Sequence, residues 1–176
     1  RETATNLVFA DGASDPWTIP PGSLERLGPA LGTSLQGSLD AEGRLAGPLN
    51  ALRPDLAVRV DQPAAGPLRL RETWQGRFHG DPLLATGGGG RLSLTAQSPA
   101  PTGYLEARFD PRWQPVTMVL QREGGELRLN GRPADYRWQA RQFPLRGLEV
   151  LLGTPRRFRP LEGLLAGRGT VSLLPL

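Results

Sequence analysis

The sequence of 176 residues contains no cysteine, a single histidine, His79, and a single methionine, Met118. Without cysteine the chain can form neither a disulfide bond nor a thiolate metal site. One isolated histidine supplies neither a zinc site nor a Ser-His pair for nucleophilic catalysis. We therefore predict no catalytic residues, no metal site and no cofactor, and we expect that the protein is not an enzyme.

The chain also lacks an apolar run of the length that a membrane helix needs, about 20 residues. Its most apolar stretch, LEGLLAGRGTVSLLPL at residues 161–176, is interrupted by Arg168 and by Gly163, Gly167 and Gly169. A helix is disfavoured there because each interior glycine costs about 1 kcal/mol relative to alanine. Residues 169–173 alternate small or polar with apolar side chains, so we predict a pair of strands in this stretch.

Lysine is absent, so all 21 basic residues are arginine, and with 17 acidic residues the net charge is +4. The planar guanidinium group matches the geometry of phosphate oxygens. However, the arginines are interspersed with the acids and cluster only at Arg156, Arg157 and Arg159. Basic charge of this kind supports only non-specific attraction, and we predict no specific binding of nucleic acid.

Glycine and proline are abundant, with 23 and 18 residues. They lie in turn-forming segments such as QSPAPTG, DPRWQP and NGRPA, which recur about every 8–12 residues. Between the turns, apolar and polar side chains alternate with the period of two that is typical of half-buried strands. In DLAVRVD, for example, Leu56, Val58 and Val60 share one face, and Arg59 and Asp61 share the other. The pattern predicts an antiparallel all-β fold.

The alternation gives strand after strand one apolar face and one arginine-rich face. A single antiparallel sheet of this kind must cover its apolar face. We predict an elongated curled sheet that forms a hydrophobic groove, with a closed β-sandwich, in which the same residues are core, as the alternative. The predicted groove lining comprises Leu56, Val58, Val60, Leu68, Leu70, Trp74, Phe78, Leu92, Leu94, Leu105, Phe109, Val116, Met118, Leu120, Leu127, Leu129, Tyr136 and Trp138.

We expect residues 1–176 to form one segment of a longer repetitive β-structure, with an irregular lead-in at residues 1–30. In that lead-in, Ser23 is expected to cap a short helical turn over Leu24 and Leu27. The segment FPLRGLEVLLG at residues 143–153 is compatible with a short helix or with another strand. Because Met118 is the only methionine, Arg1 is not a translation start, and we expect further sequence on both sides.

The stretch LQGSLDAEGRLAGPLNALRPDLAVRV resembles the repeated G-x-L-x-x-x-G-x-L-x-G-x-L-x-x-P-x-L phrasing of the TamB proteins. These belong to the AsmA-like group, which is related in architecture to bridge-like lipid-transfer proteins. Residues 143–173 are similar to the family's recurring unit of an apolar-proline segment, a leucine-rich stretch and a glycine-punctuated strand pair. The residues of the first stretch that carry the resemblance are Leu35, Gly37, Leu39, Gly43, Leu45, Gly47, Leu49, Pro54 and Leu56.

The resemblance implies a periplasmic β-structure of a diderm bacterium, anchored in the inner membrane by a segment outside this chain. It implies that phospholipid moves between the inner and outer membranes with its acyl chains in the apolar groove. It also implies a role in outer-membrane biogenesis beside an outer-membrane barrel partner similar to TamA. The alternative is a structural or chaperone-like β-module that binds unfolded strands of outer-membrane proteins. In either case, exposed edge strands are expected to let the fragment self-associate.

Overall fold

The computed structural model describes residues 17–24, 35–48, 51–65, 67–83, 87–97, 103–132, 134–152 and 157–172. Every complete secondary-structure element within these residues is a β-strand. The strands are β1 Trp17–Ser23, β2 Leu35–Ala46, β3 Arg53–Ala65, β4 Leu68–Leu70, β5 Thr73–Gly80, β6 Gly90–Ala96, β7 Gly103–Phe109, β8 Pro115–Arg122, β9 Gly125–Arg132, β10 Asp135–Pro144, β11 Leu148–Leu152, β12 Arg157–Pro160 and β13 Leu164–Val171.

The thirteen strands form one sheet in the order β12-β11-β4-β3-β5-β6-β7-β8-β9-β10-β13. Strands β1 and β2 extend it beside β3, and every strand pair is antiparallel. The sheet curls into a half-barrel, which confirms the predicted all-β antiparallel fold and its curled groove. The described residues contain no second sheet packed against it, so the closed sandwich is not the observed architecture.

Hairpins connect most neighbouring strands, as the turn segments predict, and two of them, β8–β9 and β9–β10, have two-residue loops. Glu123 and Gly124 join β8 to β9, and both have positive φ angles, 43° and 81°. A two-residue loop with two positive φ angles has the twist that matches an antiparallel hairpin. The hairpins keep the strands from β5 to β10 in register. The apolar side chains of these strands therefore all point to the same side of the sheet.

Contacts between strands that are not neighbours show that the apolar face is the concave one. Phe78 on β5 and Phe109 on β7 stack edge to face with ring centroids 6.1 Å apart, although β6 lies between their strands. The ring of Trp74 on β5 covers Gly103 on β7, where a Cβ would lie 2.8 Å from it. On a flat sheet these side chains are two strand spacings apart, about 10 Å.

Two strand irregularities lie at the same end of the curl. The register of β2 against β3 shifts next to Gly37, and that of β10 against β13 shifts between Ala140 and Phe143. Gln62 and Gln142, at the two shifts, have positive φ angles of 47° and 43°. Bulges of this type bend a strand and increase its twist. Beyond its bulge, β3 leaves β5 and pairs with β4 instead.

The strands β4 and β11 close this same end. After β10 the chain does not proceed directly to β13, and β11 pairs with β4 through Leu148–Leu70 and Val150–Leu68. The chain then forms β12 and returns to pair β13 with β10. The short sheet of β4, β11 and β12 therefore connects the β3 side of the curl to the β10 side.

The hydrophobic core lies in the half of the sheet formed by β2 to β6. Its side chains are buried in one cluster, and Leu35, Leu39, Leu70 and Leu120 pack around it. The cluster consists of Leu24, Ala41, Val58, Val60, Trp74, Phe78 and Leu94.

Two local interpretations are corrected, and a third falls mostly outside the described residues. Residues 17–23, expected in an irregular lead-in, form β1 because they pair with β2. Ser23 ends that strand, and most of the helical turn expected over Leu24 and Leu27 falls outside the described residues. Residues 67–80 alternate as if they formed one strand, but the chain breaks at Arg71 and Glu72 because β4 and β5 pair with different parts of β3.

The segment at residues 143–153 forms the end of β10 and all of β11, so the strand alternative is confirmed over the helix. The strand pair predicted within residues 161–176 is wrong for its described part. That part forms the single strand β13, whose partner β10 lies earlier in the chain. Residues 173–176 lie outside the described residues.

Trp74 is the largest fully buried apolar side chain, at 1% exposure. We expect Trp74→Ala to lower the free energy of unfolding by about 3–5 kcal/mol, because it leaves a cavity in the core. Leu164→Ala, at a side chain that is 68% exposed, serves as the control and should change it by less than about 0.5 kcal/mol. Urea unfolding followed by circular dichroism measures both. Equal losses in the two variants would contradict the assigned core.

Candidate functional site

Two continuous rows of apolar residues cross the concave face at right angles to the strands. Each row passes through the nine strands β2, β3, β5 to β10 and β13, and contains no polar side chain. The first row is Ala41, Val58, Gly76, Leu94, Leu105, Leu120, Leu127, Ala140 and Gly167. The second row is Gly43, Leu56, Phe78, Leu92, Ala107, Met118, Leu129, Trp138 and Gly169.

The predicted lining residues are divided between core and surface. Val58, Val60, Trp74, Phe78, Leu94 and Tyr136 are buried by other side chains, so these six are packed core and do not line an open groove. Leu68 is 44% exposed on β4, outside both rows. The remaining eleven are half-buried: Leu56, Leu70, Leu92, Leu105, Phe109, Val116, Met118, Leu120, Leu127, Leu129 and Trp138.

Five of the half-buried residues form what we call the open strip: Met118, Leu120, Leu127, Leu129 and Trp138. They lie on the three consecutive strands β8, β9 and β10. Only Leu120 packs against the buried cluster of the other half. The strip is therefore a part of the concave face on which large apolar side chains are partly exposed and, apart from Leu120, do not pack against the buried cluster.

Trp138 ends the open strip by covering glycines on the last strand. A Cβ added at Gly169 would lie 2.8 Å from the indole Nε1, and one added at Gly167 would lie 3.5 Å from the ring. Gly167 also has a φ of 150°. The indole ring thus lies flat across β13, and the two glycines leave room for it.

A buried ion pair bounds the concave face at the end that β4 and β11 close. Arg122, the last residue of β8, pairs with Glu72 of the β4–β5 connection, and both side chains are fully buried. Gly103 and Gly125 flank Arg122 on the neighbouring strands, which leaves room for its long side chain. Burial lowers the pKa of the Arg122 guanidinium, and the nearby Glu123 carboxylate acts in the opposite direction.

Sequence reasoning overlooked this pair, although a signal was present. In the alternation, Arg122 lies on the same side of its strand as Met118 and Leu120. Glu72 lies on the same side as Leu70 and Trp74. Two opposite charges on apolar faces are each expensive to bury alone, so they are expected to meet.

A second charged group lies beside the first. Glu149 of β11 is 2% exposed and forms salt bridges with Arg69 and Arg71. Arg69 Nε donates to Glu149 Oε2 at 2.9 Å, and its guanidinium lies 4.2 Å above the Phe158 ring. Burial opposes ionisation of Glu149, but the arginine hydrogen bonds outweigh it and hold the pKa of this carboxyl below its usual range. Together these contacts stabilise the packing of β11 against β4.

Aromatic side chains bound the opposite end. The ring of Trp113 lies 5.7 Å from that of Phe78, and Phe109 contacts the other side of Phe78. The hydroxyl of Tyr136 donates to the Pro115 carbonyl, and the side chain is fully buried. Burial and the Asp110 charge raise the pKa of Tyr136 to about 12, so it stays a neutral donor.

The outer face is polar and has two shallow depressions. One is lined by residues that include Gln121, Glu126 and Arg141, and the other by residues that include Arg59, Gln75 and Arg77. Both are open to solvent and combine acidic with basic side chains. Neither therefore selects a ligand class, and the apolar concave face remains the candidate site.

Within the described part of the chain, no cluster of three or more acidic or histidine side chains is arranged to hold a metal ion. The same residues include no helix that is long and apolar enough to span a membrane. Comparison with protein-family models, with curated proteins and with solved structures finds no significant match. The function must therefore be argued from the concave face itself.

We expect Arg122→Met to lower the free energy of unfolding by about 3–5 kcal/mol, because Glu72 stays buried without a partner. The matched control is Arg128→Met, which removes a surface pair with Glu126 at 3.2 Å and should cost at most about 1 kcal/mol. Adding Glu72→Leu to Arg122→Met should restore much of the loss in urea unfolding. A loss below about 1 kcal/mol for Arg122→Met would contradict a structural role for the pair.

Because its pKa is lowered in the folded state, Glu149 contributes stability above its unfolded pKa, near the usual value of 4.5, and loses it as the pH falls through the folded pKa. Glu149→Gln should therefore be less stable than the wild type at neutral pH, and the gap should narrow below about pH 4.5. Urea midpoints between about pH 7 and pH 3 measure this gap, with the exposed Glu42→Gln as control. A gap that is independent of pH would exclude the ionised carboxylate as its cause.

Proposed function

We propose that the concave face binds the acyl chains of lipids and that the chain is a segment of a lipid conduit. The observation that supports this is the open strip, in which five large apolar side chains stay partly exposed within two apolar rows. Contiguous exposed apolar patches of this kind on soluble proteins mark ligand or interaction sites. The ligand that fits is apolar and extended.

The dimensions of the rows suit an acyl chain. Nine strands at about 4.8 Å spacing make each row roughly 38 Å long, more than the half-thickness of a membrane's hydrocarbon core, about 15 Å. Each CH₂ group buried against the strip gains about 0.8 kcal/mol. Because the rows hold no charged side chain, binding selects apolar length and does not select a particular head group.

The head group stays outside the site in this arrangement. The sheet is a half-barrel, so the concave face has an open side, and the polar end of a lipid remains in water there. This arrangement avoids the cost of burying a charged phosphate without partners. A lipid can therefore move along the rows while only its acyl chains are transferred between apolar surfaces.

The place of this segment in the cell follows from the resemblance to the TamB family. We propose a periplasmic location, with an inner-membrane anchor outside this chain, and movement of phospholipid between the two membranes. An outer-membrane barrel partner belongs to the same proposal. The curled apolar face supports the conduit part, because rows that run across the strands continue wherever further strands are added to the sheet.

The test compares two charged substitutions on adjacent residues of β9 that face opposite sides. Leu129→Arg places a charge in the open strip, whereas Asn130→Arg places it on the exposed outer face. The probe is a phosphatidylcholine with a photoreactive diazirine in one acyl chain, and mass spectrometry locates the labelled residues. We expect labelling of the open strip in the wild type and in Asn130→Arg. In Leu129→Arg it should fall more than tenfold, because a charge in an apolar path costs several kcal/mol.

Thermal melting of the same variants separates a groove from a sealed core. In an open strip the new arginine reaches solvent, so Leu129→Arg should keep most of the wild-type stability. Trp138→Ala is a second, uncharged variant that should also weaken labelling. Labelling spread over the outer face, or equal labelling of the Leu129→Arg and Asn130→Arg variants, would falsify the proposal.

A further inference from the structure

The edges of the sheet differ in how well they are protected. The described part of the sheet ends at β12 and β13 on its main path and at β1 on its side branch. Strand β12 has four residues, two of them arginine, and ends at Pro160. Strand β1 contains Pro20 and Pro21, and its register shifts there. Short length, charge, proline and bulges all block further strand pairing.

Strand β13 is less protected than β1 and β12, because it is neither short nor interrupted by proline. It runs for eight residues, contains no proline and carries one charged side chain, Arg168. Among the described residues it pairs only with β10. Leu164 at its start is 68% exposed and Val171 at its end is 36% exposed. An edge of this length offers a row of backbone donors and acceptors to another strand.

The concave side of β13 selects large apolar side chains in an added strand. Gly167 and Gly169 face that side, and the Trp138 ring extends over both of them. Side chains of a neighbouring strand that face the same side would lie next to the glycines and close to the edge of the indole. Glycine fills none of that space, and an aromatic or long aliphatic side chain packs well there.

The outer side of β13 selects acidic side chains. The outer face of β8, β9, β10 and β13 carries five arginines and two acidic residues. The arginines are Arg128, Arg132, Arg137, Arg141 and Arg168, and the acidic residues are Glu126 and Asp135. Glu126 pairs with Arg128, and Asp135 lies directly opposite Arg132. Arg137, Arg141 and Arg168 form no salt bridge with any described residue.

The other half of the same face is nearly balanced in charge. The outer face of β2, β3, β5, β6 and β7 carries five acidic residues and six arginines. The acidic residues are Asp40, Glu42, Asp55, Asp61 and Glu106, and the arginines are Arg44, Arg53, Arg59, Arg77, Arg91 and Arg108. The excess of positive charge is thus larger on the strands next to the β13 edge than on β2 to β7. Charge of one sign at an interface selects partners of the other sign.

A second copy of the chain fits this edge poorly. Antiparallel pairing of β13 with β13 would bring two Arg168 side chains, and the unpaired arginines of both β10 strands, close together. Like charges on facing strands destabilise the pairing. The charge therefore favours a different chain over self-association.

We propose that β13 is a recognition edge, at which an extended segment of another protein is added to the sheet as a strand. The segment alternates acidic residues, which face Arg168 and its neighbours, with large apolar residues, which face Gly167, Gly169 and Trp138. The proposal does not depend on lipid binding, because the edge and the open strip use different groups. Backbone hydrogen bonds supply the attraction, and side chains on the two faces supply the selectivity.

The probe is a capped, fluorescein-labelled peptide, Thr-Glu-Phe-Glu-Phe-Glu-Thr, and its binding is measured by fluorescence polarisation. We expect saturable binding to the full chain. Replacing the glutamates with lysines should abolish it. A peptide of the same sequence with N-methylated backbone amides should lose at least tenfold in affinity, because N-methylation removes the donors for strand pairing. Hydrogen exchange should show that the acidic peptide protects amides of residues 164–171.

Arg168→Glu should weaken binding of the acidic peptide about fivefold or more, in line with the loss of a cross-strand charge pair. It should also allow the lysine peptide to bind. The matched control is Arg44→Glu on β2, an exposed arginine of the same face in the balanced half, which should leave affinity within about twofold. Both variants change the surface only, and melting temperatures verify that they fold.

Three results would overturn the proposal. Equal binding of the N-methylated and unmodified peptides would show attraction by charge without strand addition. Equal weakening by Arg168→Glu and Arg44→Glu would show that the β13 edge is not the site. A concentration-dependent dimer in light scattering that Arg168→Glu strengthens would make a second copy the occupant. Loss of lipid labelling with peptide binding intact would count against the conduit alone.

Discussion

One buried ion pair, between Arg122 at the end of β8 and Glu72 before β5, joins strands that only the curvature of the sheet brings together. On a flat sheet β5 and β8 are three strand spacings apart, about 14 Å. The two charges meet because the sheet bends toward its apolar face at this end. Gly147 completes the contact, since a Cβ there would lie 2.5 Å from Arg122 Nη2, and its φ of 85° also favours glycine. Its carbonyl accepts a hydrogen bond from the Arg71 amide at 3.3 Å.

This curvature explains why one apolar face serves two purposes. In the half formed by β2 to β6, the bend brings Trp74, Phe78 and their neighbours together, and Leu24 and Leu70 pack around them. In the half formed by β8 to β10, the side chains on the same face of the sheet point to the open side of the half-barrel, and Leu127 and Leu129 stay half-buried. Removal of the ion pair is therefore expected to affect the open strip as well as the stability, because both depend on the same bend.

Charge, glycine and strand pairing coincide at the β13 edge. The edge strand carries Arg168, the two glycines under Trp138 and backbone groups that no described strand uses, and the other excess arginines lie on the neighbouring strands β9 and β10. The opposite boundary, at β1, contains two prolines. Among the described edges, β1 and β12 are protected against further pairing and β13 is more accessible, which limits non-specific aggregation while it leaves a specific contact available.

The sequence by itself determined the parts of this protein that depend on local periodicity. Alternation identified most of the strands and the apolar parity of the groove, because side chains on a strand alternate with a period of two wherever the strand pairs. Turn segments identified most of the hairpins for the same local reason. The alternation also places Glu72 and Arg122 on the apolar face, although this signal was overlooked.

Only the tertiary structure decided which apolar residues are core and which are surface. Val60 and Leu129 have equivalent positions in the alternation, yet Val60 is buried and Leu129 is half-exposed. Their exposure depends on what lies across the concave face, and that depends on the pairing of β4 with β11, whose partners Arg69 and Glu149 are 80 residues apart. Periodicity specifies the side of a strand on which a residue lies, whereas long-range pairing and curvature specify what covers that side.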